Sequence, residues 1–271
     1  GRGASDTKGP MAAMLWALRS LGPAIADLPV EVHFAGFMAE ESDQKGSRHF
    51  AARHPGYALA LVGEPTGMQA VHRHKGSLWA QLVTRGRAAH AATPEAGVNA
   101  ITRMMPLVAA LDTEFRQLLV ERGGTDTLLG SSTLNIGTIQ GGTRGNIVPD
   151  RCCLGLDIRF TPQLHQQGDM VDLLRSFIQE RDPAAELASP SVAPPLDTPA
   201  DNLYLQRLHR FGAPLAGAPW FCDAAYLAAA GIPAVAIGPG RIDQAHTVDE
   251  WISVDELEAG ARFFAGWLRS L

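Results

Sequence analysis

The pattern of apolar and polar residues first predicts a helix, which directly follows a glycine-rich turn. Residues 10–21 carry apolar side chains three and four positions apart, and a Gly-Pro pair then ends the pattern. Residues 30–37 alternate and are rich in β-branched and aromatic side chains. Residues 47–53 return to helical spacing, and residues 58–62 form a short apolar run. Because strands and helices alternate here, the pattern predicts a parallel α/β sheet.

The middle of the chain predicts a different kind of fold. Its strands and helices follow the order strand, helix, strand, strand, helix, strand, over residues 77–84, 98–121, 132–140, 151–160, 166–181 and 185–188. This order is the split βαβ pattern of a small ferredoxin-like α+β domain. The α/β alternation returns beyond it, over residues 203–211, 234–237 and 254–268.

This change and return of pattern indicates a domain inserted into another. Residues 189–195 contain three prolines, which is typical of a stiff linker. We therefore predict a discontinuous α/β domain of residues 1–74 and 188–271 and an inserted domain of residues 75–187. The strand over residues 77–84 and the helix that begins at Val98 are expected to offer an open sheet edge and an apolar face to a second copy of the chain.

Composition and charge exclude several classes of protein. Apolar residues make up 46% and charged residues 19% of the chain, which is typical of a folded globular protein. The net charge is −5, so the basic excess that nucleic-acid binding needs is absent. No uncharged stretch is long enough to cross a membrane. The three cysteines lack the spacing of a disulfide framework, which favours a reducing, cytoplasmic location.

Four carboxylates and one imidazole follow successive predicted elements. Asp6 lies in the turn before the first helix, Glu40 and Glu41 follow one predicted strand, and Glu64 and His246 follow two others. The carboxyl ends of parallel strands meet at one edge of a sheet, where like charges repel unless a cation lies among them. Carboxylate with imidazole suits Zn²⁺, with Co²⁺ or Mn²⁺ as substitutes. Taken singly, Asp6 also fits a helix cap, Glu40 and Glu41 fit a solvated loop, and His246 fits a structural histidine.

Short motifs occur in a fixed order from one end of the chain to the other. They cover residues 1–9, 40–41, 63–66, 74–76, 86–90, 97–100, 133–137, 141–146, 157–159, 238–240 and 244–250. In this order they resemble the acetylornithine deacetylase, succinyl-diaminopimelate desuccinylase and aminoacylase family of dizinc hydrolases. The resemblance covers essentially the whole chain.

The resemblance implies both a fold and an activity. The fold is a discontinuous zinc-hydrolase catalytic domain with an inserted dimerisation (lid) domain, through which the family forms homodimers. The activity is removal of the acyl group from an N-acyl amino acid with two Zn²⁺ ions. The motifs resemble the acetylornithine deacetylase branch, which serves arginine biosynthesis, while desuccinylase, general aminoacylase and carboxypeptidase activities stay open. A non-catalytic homologue that keeps the fold is the alternative from another class.

Carried over residue by residue, the resemblance implies roles in the discontinuous domain. Asp6 resembles the carboxylate that bridges the two metals, and Glu41 and His246 resemble the remaining ligands of one metal. Glu64 resembles a ligand of the other metal. Glu40 resembles the general base that takes a proton from water and passes it to the leaving amine.

The resemblance also implies roles in the inserted domain. His90 resembles a histidine that reaches a neighbouring subunit's active site and stabilises the tetrahedral oxyanion. Asn146 and Arg159 resemble residues that hold the α-carboxylate of the substrate. The family's remaining ligand, the His of a His-x-Asp motif, lies upstream of the segment that resembles residues 1–9. We therefore expect the Glu64 metal site to be incomplete in this chain, which we interpret as truncated or proteolysed.

Overall fold

The computed structural model describes residues 1–53 and 56–271, which form two compact units. The discontinuous unit consists of Gly1–His74 and Leu196–Leu271, and the inserted unit consists of Lys75–Pro195. The helices and strands that these units contain are numbered in chain order along the whole chain.

The strands are β1 (Ala60–Val62), β2 (Ala70–His74), β3 (Gly76–Arg85), β4 (Thr125–Asp126), β5 (Gly130–Ser131), β6 (Thr133–Gly141), β7 (Arg151–Phe160), β8 (Glu186–Ala193), β9 (Leu196–Asp197), β10 (Leu215–Ala218) and β11 (Ala234–Ala236). The α-helices are α1 (Gly9–Leu21), α2 (Lys45–Ala51), α3 (Ala100–Ala110), α4 (Arg116–Gly123), α5 (Pro162–His165), α6 (Met170–Gln179), α7 (Leu203–Phe211), α8 (Ala224–Ala229) and α9 (Val254–Arg269).

The sheet of the discontinuous unit has the strand order β1-β11-β2-β10, and β9 pairs with β2. The pairs β1–β11 and β2–β10 are parallel, but β11 meets β2 in an antiparallel contact between Ala236 and Val71. The predicted parallel pairing therefore holds for these two pairs but is wrong for the sheet as a whole, which is mixed. Helix α1 packs against α9, with Ala13 and Ala17 buried alongside Phe264 in one core cluster.

The strand predicted over residues 30–37 is absent from the sheets that the structure describes. These residues are assigned neither to a strand nor to a helix. Alternating side chains favour an extended backbone, but a strand also needs the hydrogen bonds of a neighbouring strand. The pattern indicated the first condition and carried no information about the second.

The inserted unit confirms the predicted ferredoxin-like order. Its antiparallel sheet runs β6-β7-β3-β8, with the helical run α3 to α4 between β3 and β6 and with α6 between β7 and β8. Alternate residues of the two central strands, such as Leu78, Leu82, Leu154 and Ile158, are buried against these helices. The helix predicted over residues 98–121 spans residues 100–123 and contains a π-helical turn at Leu111–Phe115.

Two expectations about the edges of this sheet are wrong. Strand β3 pairs with β7 on one side and β8 on the other, so it lies in the centre of the sheet. The open edges belong to β6 and β8. The expected linker over residues 189–195 is largely part of β8, and the domain boundary follows Pro195. Pro190 is compatible with a strand here because β8 is an edge strand whose register shifts opposite Trp79 and Gln81.

Two further features bear on the expected environment. Within the described ranges, no helix is long and apolar enough to cross a membrane. Cys152 and Cys222 are buried and Cys153 is partly buried, and all three are free thiols.

The packing of the inserted unit predicts the effect of truncating Leu82, which is fully buried in β3. Leu82→Ala is expected to lower the free energy of unfolding of this unit by about 2–5 kcal/mol, because it leaves a cavity in a close-packed core. Urea denaturation measures the change. Leu128→Ala is the matched control, since Leu128 is 45% exposed and its loss should cost about 0.5 kcal/mol or less. Equal effects of the two substitutions would contradict this description of the core.

Candidate functional site

Asp6 lies in the turn Ala4–Lys8, which leads directly into α1. Its side chain is 16% exposed. Burial, and next the neighbouring Glu41 carboxylate, raise the pKa of Asp6, although His246 opposes the shift. The start of α1 therefore holds a half-desolvated carboxylate that other charged groups face.

Strands β1 and β11 bring two further residues to one sheet edge. Their parallel register pairs Ala60 with Ala234 and Val62 with Ala236, so both strands end on the same side. Glu64 follows β1 after one residue and is buried. The backbone after β11 approaches it closely, since a Cβ at Gly238 would lie 2.7 Å from the carbonyl oxygen of Glu64. Glycine is required at this position by that approach.

His246 joins carboxylates from two distant parts of the chain. Its Nε2 lies 3.1 Å from each carboxylate oxygen of Glu41 and 3.2 Å from Oδ2 of Asp6. One ligand atom from each of the three residues lies within 4.8 Å of the others. Arg2 also reaches Glu41, at 3.4 Å, on the exposed side of the cluster. An imidazole and two carboxylates from three separate segments thus converge on one point.

Glu40 and Glu64 lie beside this cluster and carry strongly shifted pKa values. Burial raises the pKa of Glu40 to about 7, with further increases from Asp223, Glu41 and Asp6. Burial also raises the pKa of Glu64 well above its ordinary value, and the nearest carboxylates add to the effect. The two groups are therefore destabilised in their charged forms by desolvation and by like charge.

The residues present fit a divalent metal ion. Asp6, Glu41 and His246 form a donor set that Zn²⁺ and related ions accept. The surrounding carboxylates of Glu40 and Glu64 repel one another, and a bound cation would remove the cause of that repulsion. The arrangement can therefore hold a metal and, next to it, the carboxylate of Glu40, which can accept and return a proton.

Sequence reasoning missed two acidic residues of this region. Asp223, just before α8, is buried, accepts a 2.6 Å hydrogen bond from Ser47 Oγ, and raises the pKa of Glu40. Glu250 is buried and accepts backbone hydrogen bonds, chiefly that of Asp6, which lower its pKa. Of these two residues, only Glu250 could have been found from the sequence, because it is the last residue of the motif over residues 244–250.

His90 and Asn146 occupy adjacent segments of the inserted unit. The N–H of Ala91 donates to the carbonyl oxygen of Asn146 at 3.1 Å, and His90 forms a bridge with Ile147. The His90 ring is held locally, since its Nδ1 accepts a 3.1 Å hydrogen bond from the N–H of Ala92. Both His90 and Asn146 are exposed. The structure thus brings together two of the three residues singled out in this unit.

Arg159 lies on β7 and is already engaged by an acidic neighbour. Its Nε and Nη2 donate to the two carboxylate oxygens of Asp157, at 2.8 and 3.0 Å. The guanidinium lies 5.7 Å from the centre of the Trp79 ring. The side chain is 30% exposed. The pair with Asp157 and the ring contact therefore fix the direction of the guanidinium.

Comparison of the sequence with known proteins finds one matching family model and several relatives. Residues 72–185 match the model described as the peptidase dimerisation domain. The acetylornithine deacetylase of Proteus mirabilis is 31% identical over 267 residues, which cover 95% of this chain and 67% of that protein. The chain thus spans about two thirds of the length of this relative.

Comparison of the structure finds the same fold in solved peptidases. Aminopeptidase PepT from Bacillus cereus matches with a TM-score of 0.71 and 24% identity, over 96% of this chain and 69% of that chain. An M20 family metallo-carboxypeptidase from Sulfolobus solfataricus matches with a TM-score of 0.72 and 19% identity, over 99% of this chain and 76% of that chain. At these identities, the structural likeness establishes the fold.

The raised pKa of Glu40 predicts how the stability of the metal-free chain depends on pH. The folded chain binds the proton more tightly than the unfolded chain, whose pKa is near 4.5. The contribution of this group to the free energy of unfolding is therefore expected to be fully present below pH 4.5 and to fall as the pH rises to about 7, by at most about 3 kcal/mol. Urea denaturation at several pH values measures this dependence.

Glu40→Gln removes the titrating group and should make this fall with pH shallower. Glu258→Gln is the matched control, because Glu258 is an exposed residue on α9 that pairs with Arg262. Glu258→Gln should leave the pH dependence of the free energy of unfolding as it is in the wild type. A Glu40→Gln chain that lost stability as steeply as the wild type between pH 4.5 and 7 would contradict the assignment.

Proposed function

Because the chain belongs to the M20 family of metallopeptidases and amidohydrolases, we propose that it hydrolyses the amide bond of an N-acyl amino acid with a bound divalent metal. The observation that carries the proposal is the convergence of Asp6, Glu41 and His246 beside Glu40. Metal ligands and an adjacent carboxylate that can carry a proton are the groups that metal-assisted amide hydrolysis needs.

In this proposal the metal ligands come from the discontinuous unit alone. Asp6, Glu41 and His246 would hold one ion, and Glu64 together with Asp6 would contribute to a second. The donor set favours Zn²⁺, with Co²⁺ or Mn²⁺ as substitutes. When bound, such an ion supplies positive charge that stabilises developing negative charge on oxygen and acidifies water.

Glu40 is proposed to move the proton. Its carboxylate would accept a proton from the attacking water and return it to the nitrogen of the leaving amine, so that no free amide anion forms. The position of Glu40 supports this role, because its carboxylate is partly buried beside the proposed ligands Asp6 and Glu41. The neighbouring Glu41 faces His246 instead and would remain a ligand.

The proposed substrate is an N-acetylated amino acid with a basic side chain, N-acetylornithine first. The 31% identity to an acetylornithine deacetylase supports this choice, as do the sequence motifs. Arg159 and Asn146 would hold the α-carboxylate of the substrate, and His90 would stabilise the oxyanion in the site of a neighbouring subunit. Asp157 already takes two donors of Arg159, so a carboxylate would bind its remaining terminal nitrogen.

A homodimer through the inserted unit is the proposed assembly. The match to a peptidase dimerisation domain supports it, and strand β6 offers an open edge. Ile139 on this strand is 56% exposed. The other open edge is less suited to pairing, because Pro190 removes one N–H donor from β8.

Replacing Glu40 tests the proposed mechanism. Glu40→Gln keeps the size of the side chain but cannot accept the proton of water, so kcat for N-acetylornithine hydrolysis should fall by at least about 100-fold. Metal content, measured by elemental analysis, should stay at the wild-type level. A panel with N-succinyl-diaminopimelate and a dipeptide tests the choice of substrate in the same assay.

His246→Ala is the matched contrast, since it should lower both metal content and turnover. Wild-type turnover in Glu40→Gln would remove this residue from the mechanism. If a wild-type protein that includes the upstream His-x-Asp segment bound metal and hydrolysed no member of the panel, the result would favour the non-catalytic alternative.

The proposed dimer has its own test in light scattering. The wild type should give a mass twice that of the chain at micromolar concentration. Ile139→Asp places a charge on the β6 edge and should shift the protein towards monomer. Val192→Asp is the control on the β8 edge, because Val192 is 38% exposed. Dissociation by the Val192 change with no effect of the Ile139 change would place the interface at the other edge.

A further inference from the structure

One buried carboxylate lies apart from the cluster of ligands and is bound only to backbone in the contacts that the structure describes. Glu250 is 1% exposed. Its Oε1 accepts hydrogen bonds from the N–H groups of Ser5 and Asp6, each at 2.8 Å, and its Oε2 accepts one from Gly3 at 2.8 Å. A buried carboxylate is thus compensated by three peptide dipoles.

These three donors all belong to the turn that carries Asp6. Gly3 has a φ of +80°, a left-handed conformation that glycine adopts without steric cost. The backbone N–H groups of Gly3, Ser5 and Asp6 then point to one side and form a concave binding site for an anion, while that of Ala4 donates to the carbonyl oxygen of Gly1. The carboxylate of Glu250 fills that site, and Ser5 is fully buried beside it. The backbone of Asp6 is therefore fixed by a contact more than 240 residues away in the sequence.

The segment that supplies Glu250 also supplies His246, only four residues earlier. His246 has a φ of +61°, so the chain bends at this residue. One short segment therefore presents an imidazole to the Asp6 side chain and a carboxylate to the Asp6 backbone. The two ends of the segment thus contact Asp6 at its side chain and at its backbone N–H.

We propose that Glu250 is a positioning residue, whose carboxylate holds the Gly3–Asp6 turn so that the Asp6 side chain meets Glu41 and His246 in a geometry that binds a divalent metal. This inference rests on the proposed function, because it assigns Asp6 as a ligand. Glu250 itself faces backbone N–H groups and acts through Asp6.

The chemistry of the contact distinguishes a carboxylate from an amide of the same size. Glutamine at position 250 has a single acceptor oxygen, and its NH₂ group would face at least one of the backbone donors. If the oxygen stays with Ser5 and Asp6, the N–H of Gly3 meets another donor. The turn would then lose part of its support while the packing volume stays the same.

Glu250→Gln and the control Glu258→Gln are compared as whole chains, with Co²⁺ alone as the probe. The dissociation constant is measured by titration, followed by the visible absorption of bound Co²⁺. Glu250→Gln is expected to weaken Co²⁺ binding by at least about tenfold, as loss of support behind a metal ligand does. In the metal-free chain, amide hydrogen exchange should become faster over residues 1–8 and stay unchanged over α9. Glu258→Gln should match the wild type in both measurements.

A double substitution tests whether the effect passes through Asp6. If it does, adding Glu250→Gln to an Asp6→Asn chain should weaken Co²⁺ binding by much less than tenfold, because the supported ligand is already impaired. Full additivity of the two losses would overturn the inference. If Glu250→Gln does not fold, Glu250→Asp serves the same comparison, since its carboxylate is one methylene too short to reach all three donors.

The outcomes separate this inference from the proposed function. Wild-type Co²⁺ affinity in Glu250→Gln would overturn the inference alone. Faster exchange throughout the discontinuous unit, with the loss of affinity in proportion, would also overturn it, because Glu250 would then be a purely structural residue. A wild-type chain that bound no Co²⁺ would overturn the proposed function and this inference with it.

Discussion

The arrangement of the discontinuous unit depends on how it compensates negative charge at one edge of its sheet. The fold brings the carboxylates of Asp6, Glu40, Glu41, Glu64 and Asp223 into one region. Glu64 and Asp223 are buried, Asp6 and Glu40 are partly buried and Glu41 is exposed. Burial and mutual repulsion raise the pKa values of Asp6, Glu40 and Glu64, so their ionised forms oppose folding. Protonation relieves this opposition, and so does a divalent cation. Protonation neutralises the carboxylates, whereas a cation compensates their charge while they stay ionised and act as its ligands.

Glu250 and Glu64 illustrate two ways of burying a carboxylate. Both are nearly inaccessible, but Glu250 accepts three backbone hydrogen bonds and its pKa is lowered, whereas the pKa of Glu64 is raised by desolvation and by neighbouring carboxylates. A carboxylate whose charge is compensated by peptide dipoles is suited to holding backbone in place. A carboxylate without that compensation is suited to binding a cation. The surroundings of each group, and not its burial, therefore indicate its role.

The sequence predicted the parts of the fold that depend on local pattern. Helix α1, strand β7 and the ferredoxin-like order of the inserted unit follow from periodicity, because each buries a regular face. Predictions of individual strands and linkers were wrong where the structure depends on a neighbouring strand. Residues 30–37 have the alternation of a strand but no strand beside them in the described structure, and Pro190 suggested a linker although an edge strand accommodates it. The site could be predicted only in part.

The convergence of His246 with Asp6 was expected from the strand ends and from the family resemblance. The sequence did not indicate Asp223, because its place in the site depends on a contact with Ser47 that spacing along the chain cannot reveal.

The residues proposed for metal binding and proton transfer lie in a different unit from those proposed to contact the substrate. All proposed metal ligands and the proton carrier lie in the discontinuous unit, whereas His90, Asn146 and Arg159 lie in the inserted unit. In this proposal, metal binding and proton transfer are therefore assigned to one unit and recognition of the substrate carboxylate to the other. Within the inserted unit, Asp157 already accepts hydrogen bonds from Nε and Nη2 of Arg159. In the proposed role, Arg159 would therefore bind a substrate carboxylate chiefly through Nη1, while Asp157 keeps the guanidinium in a fixed direction.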